Sequence, residues 1–153
     1  MSAASNFLEL EILDHVLGET ARNYTPTSAL HVALFAGTAS TVLTALESGT
    51  NSTSGTGNWG HYEVNAGDYA RQAVNFATAS GGSAASNSTV TFPVATANYN
   101  NAATSGATVT CIAVVDASSS GNVLFFGQLT TSKTVSSGDQ FTVSSGNLTV
   151  SLA

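Results

Sequence analysis

Positive charge is what this sequence has least of. Arg22, Arg71 and Lys133 are its only Lys or Arg residues, against nine Asp and Glu, for a net charge of −6. Nucleic-acid binding needs several phosphate-neutralising cations on one face, and three scattered ones do not supply it. An acidic lipid surface is disfavoured on the same ground. Cysteine is nearly absent too: Cys111 stands alone, so no internal disulfide can form, and its place in the apolar run 109–115 makes it a small buried hydrophobe. No apolar run approaches the ~18 residues of a membrane span. Residues 1–17 lack the basic start of a secretory signal and carry Glu9, Glu11 and Asp14 instead. The expectation is a chain folded in a cytoplasm and exported, if at all, by something other than a signal peptide.

Charged residues of both signs make up only 8% of the chain, far below the ~25% of an average soluble domain. In their place stand 42 Ser and Thr among 153 residues, with 42% hydrophobic residues to build a core. Thr is a good strand former, and a chain of this length buries a core without staples. The composition suits β-rich extracellular or virion proteins. One structural unit is expected, with an N-terminal helix and linker over 1–25 and a β-sandwich over 26–153.

The strongest helical pattern spans residues 6–17. Asn6 and Glu9 have the spacing of a capping box, Leu8, Ile12, Leu13, Val16 and Leu17 fall on one broad face, and Gly18 is placed to stop the helix. That stripe must be buried on the β domain or on a neighbour. After Pro26 the signal changes to short strands: 30–36, 71–76, 89–94, 108–115, 122–129, 133–135, 140–143 and 147–152. The runs 108–115 and 122–129 are joined as a hairpin through Asp116 to Gly121, and 147–152 alternates polar and apolar residues. Six to eight closely spaced strands argue for an all-β fold, an antiparallel β-sandwich or jelly roll with one N-terminal amphipathic helix and long polar loops. Residues 41–47 fit a short helix or an edge strand. Residues 48–60 and 95–107 are expected to be extended arms or loops that become ordered on a partner.

The familiar chemical motifs are missing. His15, His31 and His61 fall on separate elements without local ligand pairs, so no metal site is expected. Gly-x-Ser-x-Gly is absent, Cys111 has no basic neighbour in sequence, and the carboxylates are spread singly rather than as a facing pair. Neither a catalytic residue nor a bound cofactor is expected. The Gly-rich stretch 55–60 lacks the Gly-Lys-Ser/Thr ending and following helix of a phosphate cradle. Three glycosylation sequons, at Asn51, Asn87 and Asn147, are chance matches in a chain this rich in Asn, Ser and Thr. The aromatic residues Trp59, Tyr62 and Tyr69 are candidates for stacking on a sugar, or for anchoring a loop or a subunit interface, where Trp and Tyr are enriched. Together with Phe7, Leu8, Ile12, Leu13, Val16 and Tyr99 they form the expected subunit-interface or docking set.

From Gly67 through Asp68, Tyr69, Ala70, Arg71 and Gln72 to Phe76 the sequence resembles a widespread family of small tailed-phage virion proteins, labelled tail-fibre-like, some members of which look like capsid decoration (cement) proteins. Further matching segments occur in order: 5–9 with 13–16, 30–35, 90–96, 122–129, and 137–143 with 146–150. Residues 48–60 and 98–106 are longer than the family pattern. The resemblance implies a virion role and brings no catalytic residues.

Two stations in a particle then compete. A host-contacting fibre normally has a shaft of repeats, and no internal repeat is visible. A decoration protein needs a compact body, flexible arms and adhesive surfaces, an inventory this chain has. The sequence reading therefore favours a homotrimeric decoration protein on the outer capsid surface, with the major capsid protein and its own copies as partners. The alternative is a tail-fibre or tail-tip accessory that reads a host glycan.

Overall fold

A computed structural model describes residues 3–17, 29–48, 51, 55, 57–104, 106 and 108–152. Its centre is a five-stranded antiparallel sheet. β2 (Leu30–Ala36) and β6 (Thr108–Val115) are the inner strands, flanked by β3 (Gln72–Val74) on one side, and by β7 (Val123–Thr134) then β1 (Ala3–Ala4) on the other, in the order β1-β7-β6-β2-β3. Two short ribbons complete the β structure: β4 (Ser83–Ala85) pairs with β9 (Thr149–Ser151), and β5 (Val90–Val94) with β8 (Gln140–Val143). The expected antiparallel sandwich is the fold.

β2 shows why the inner strands are apolar without interruption. Its even positions Val32, Leu34 and Ala36 face one core, and its odd positions Ala33 and Phe35 face another, so both sides of the strand are buried. The first core is closed by Val90, Phe92, Tyr99, Val135 and Phe141 from the ribbons and the segments around them. The second is closed by α2 (Ala39–Ser48) through Val42, Ala45 and Leu46, with Trp59 and Tyr62 beside them. Irregular register between Val109 and Cys111 in β6 lets Val109 join the first core while Cys111 joins the second, although they are two residues apart.

One open sequence expectation is decided here and two change. Residues 41–47 are helical, because a sheet face with no β-ribbon over it requires apolar residues at positions 42, 45 and 46, a helical spacing. Residues 133–135 are no separate strand: β7 runs on to Thr134 and reaches them by a bulge opposite β6. The segment 95–104 is not an arm awaiting a partner. Ala95 and Tyr99 are buried, the Tyr99 amide donates to the Val135 carbonyl (3.0 Å), and the Asn101 side-chain amide donates to the Ala36 (2.8 Å) and Tyr62 (2.5 Å) carbonyls. The Asn101 side chain thus ties this segment to the end of β2 and to the residue after the 3-10 turn. In the stretch 48–60, residues 57–60 lead into a 3-10 turn (Trp59–His61) whose tryptophan is wholly buried. Gly18, Arg22 and most of the expected linker lie outside the described residues.

α1 (Asn6–Leu17) is capped one residue earlier than the sequence suggested. Ser5, not Asn6, precedes the first turn. Its hydroxyl oxygen accepts from the Leu8 amide (3.4 Å) while its hydroxyl donates to the Val123 carbonyl, and its own amide donates to Leu124 (3.0 Å). One residue thus caps the helix and ties it to β7.

Candidate functional site

The densest polar constellation grows from the segment that carried the family resemblance. Gly67 opens it in a left-handed conformation (φ 72°). A Cβ there would run into the Ala97 carbonyl, so only glycine fits. Asp68 follows at φ 61°, and the chain then delivers Tyr69 and Arg71 toward Glu63. Arg71 grips the Glu63 carboxylate with both edges, Nε to Oε1 at 2.6 Å and Nη2 to Oε2 at 2.7 Å, with both side chains largely buried. Its Nη1 donates to the Ala117 (2.9 Å) and Ser120 (2.7 Å) carbonyls of the β6–β7 hairpin, and its guanidinium carbon lies 5.4 Å from the Trp59 ring centre. The Tyr69 hydroxyl donates to Glu63 Oε1 (3.1 Å) and accepts the Leu34 amide (3.0 Å). Within the hairpin, Asp116 accepts the Asn122 backbone amide (2.6 Å) and side-chain amide (2.9 Å).

The electrostatics follow from this packing. Burial, reinforced by the Glu63 charge, holds the Tyr69 phenol well above its ordinary pKa. Burial alone would lower the Arg71 pKa, but the hydrogen bonds and charge of Glu63, with smaller contributions from Tyr69 and Asp116, outweigh it and raise it. The bonds of Arg71 and Tyr69 go to groups of the chain itself, and what the arrangement does is staple the 3-10 turn, the 67–72 segment and the β6–β7 hairpin together. Sequence reasoning named Tyr69 but missed the latch. Glu63 and Arg71 are eight residues apart in a loop-rich stretch, and no periodic pattern marks such a pair.

The aromatic docking set is largely internal. Trp59 and Tyr99 are fully buried and Tyr62 nearly so. Trp59 meets Phe35 edge-on (6.2 Å between centres), and Tyr69 stacks on Phe92 (5.9 Å) with Tyr99 edge-on to it (5.9 Å). Trp59, Tyr62 and Tyr99 are turned inward because the two sides of the central sheet supply the apolar partners they need, while Tyr69 is half-buried at the edge of the first core. Leu8 is buried as well, and Phe7 and Ile12 are half-buried. Leu13 and Val16 stand in solvent, joined by Leu17 and by Leu10, which the single-face reading of the helix had left out. Among the described residues no three His, Cys, Asp or Glu side chains gather as a metal-binding group, and no helix is long and apolar enough to cross a membrane.

The polar centre of the sandwich is spent on internal bonds, and four of the six large apolar side chains exposed among the described residues lie on one outward helix. The family model described as Podophage GP4 fiber I protein gp80 matches residues 3–151, and the chain belongs to that family. It is a structural protein of a bacteriophage virion. No curated protein matches the chain at a significant level.

Proposed function

We propose that the chain is a component of a fibre of the tailed-phage particle, and that it acts adhesively, by packing against other subunits. The observation that carries this reading is the placement of α1. It is capped and hydrogen-bonded to β7 through Ser5, yet turns Leu10, Leu13, Val16 and Leu17 to solvent, where a protein surface can cover them. The family description favours a fibre over the capsid surface. The reading as a capsid decoration protein draws support from the single sandwich body that the described residues form. Copy number separates the two. Immunogold labelling and quantitative mass spectrometry of purified particles should find the chain in a handful of copies on fibres at the tail. Hundreds of copies spread over the head would overturn the fibre assignment in favour of decoration.

A further inference from the structure

Of the six large apolar side chains that stand exposed among the described residues, four belong to α1: Leu10 at 53%, Leu13 at 54%, Val16 at 72% and Leu17 at 72%. Leu10, Leu13 and Leu17 are three and then four residues apart, the spacing that sets side chains in one row along a helix. The opposite side of the helix carries Leu8, Glu11 and Ile12 and is seated toward the body, where α1 meets β7 and α2. Ser5 and β1 hold the start of the helix on β7 with Leu8 turned inward, which leaves the row facing outward. Exposure of the row is therefore built into the anchoring.

Charge selects what can cover it. α1 contains Glu9, Glu11 and Asp14 and no Lys or Arg, and helical geometry puts Glu9 and Asp14 on the two flanks of the leucine row. The whole chain carries −6, and Arg71, one of its three cations, is committed to Glu63. A second copy would bring acid against acid, with Glu9 facing Asp14 in a parallel pairing. A surface with cations at its rim answers both flanks and steers the encounter.

We infer that α1 is a docking helix that seats Leu10, Leu13 and Leu17 in an apolar groove rimmed by Lys or Arg on a different protein of the particle. This is helix-in-groove recognition, with the leucine row as anchor and the acids as register. The inference rests on the virion reading, so purified particles are first probed for the chain itself; its absence there defeats that reading before docking is at issue. A photo-crosslinking amino acid is then placed at Leu13 or at Leu17, and, as a control, at the exposed Thr142 on the β5–β8 ribbon, which covers the other face of the sheet. Irradiated particles should yield, from the helix positions alone, a product with another virion protein, joined within an apolar segment flanked by Lys or Arg. A product between two copies of this chain, a joined segment without basic residues, or no product in particles that contain the chain overturns the inference. Independently, Leu17→Lys should deplete the chain from particles about tenfold while leaving its unfolding midpoint in solution unchanged, since Leu17 is exposed at the helix C-terminus, where a cation is tolerated. Full incorporation of a folded Leu17→Lys chain would also overturn it.

Discussion

Arg71 and Glu63 meet through two parallel hydrogen bonds, 2.6 and 2.7 Å long, with the Trp59 ring 5.4 Å from the guanidinium carbon. Residues from three chain segments depend on this pair. Glu63 follows the 3-10 turn, Arg71 precedes β3, and the Arg71 Nη1 protons go to the β6–β7 hairpin. The segment that carries the family resemblance is thus the one that closes the fold.

Removing one side of this pair is expected to cost more than the pair contributes. Arg71→Ala leaves the largely buried Glu63 carboxylate with the Tyr69 hydroxyl but without its counter-charge, and leaves two hairpin carbonyls without their Arg71 donor. We expect a loss of about 3 kcal/mol in unfolding free energy by urea titration. Arg71→Lys keeps the charge but loses the two-pronged grip, and should fall between the parent and the alanine variant. An alanine variant within about 0.5 kcal/mol of the parent would place this pair with ordinary surface contacts.

Stability should decline in alkali through Tyr69. Its phenol is held well above the ordinary value of 10.0, first by burial and then by the Glu63 charge. The folded chain therefore keeps a proton that the unfolded chain has released, so unfolding free energy falls as pH rises. The contribution is complete below about pH 10 and is lost progressively above it, as pH climbs toward the folded-state value. Burial raises Tyr99 and the Cys111 thiol as well, which act with the same sign. Urea titrations between about pH 8 and 12 should show the fall, and Tyr69→Phe should flatten it while costing about 1–2 kcal/mol at neutral pH for the lost hydrogen bonds. An equal slope in parent and Phe variant would remove Tyr69 from the account.

The strands and the antiparallel sandwich were legible in the sequence because β2 and β6 must bury both faces, and continuous apolar runs with polar punctuation report that directly. α2 was half legible. Val42, Ala45 and Leu46 have helical spacing, but Thr41, Val42 and Thr44 also suit a strand, and only the uncovered sheet face decides between them. Ser5 was passed over as a cap because Asn6 fits the same local rule one residue later; the Val123 carbonyl, 118 residues away, breaks the tie. Trp59, Tyr62 and Tyr99 lie inside the chain for a physical reason that local sequence does not carry. Trp59 sits among glycines and polar residues in sequence, and its apolar partners, Phe35 foremost, come from distant elements. The exposed half of α1 was visible in composition, yet which side faces outward depends on how Ser5 and β1 hold it.

Trp59 gives a direct optical check on its placement. It is the only tryptophan, and it is fully buried. Its emission should be blue-shifted and protected from acrylamide until the chain unfolds. Trp59→Ala should cost about 3–5 kcal/mol through the cavity it leaves. Trp59→Phe should cost far less, about 1–2 kcal/mol, because the indole N–H has no hydrogen-bond partner among the described residues and its loss frees no acceptor. Emission typical of solvent-exposed tryptophan in the folded chain would contradict the packing of the second core.

Ser5 allows the attachment of α1 to be weakened without touching either core. Its hydroxyl serves the first turn of the helix and the Val123 carbonyl together, and its amide continues the pairing of β1 onto Leu124. Ser5→Ala removes the hydroxyl and leaves the Val123 carbonyl unserved, a loss of about 1–2 kcal/mol. Because the outer face of α1 contributes little to burial within the chain, this loss should appear as local opening rather than global unfolding. Hydrogen exchange should quicken roughly tenfold across residues 6–17 while β2 and β6 keep their protection. Uniform quickening through both cores would mean that α1 unfolds only with the whole sandwich. A helix able to open alone can adjust its angle as it meets a partner, whereas one locked to the sandwich must find a groove already shaped for it.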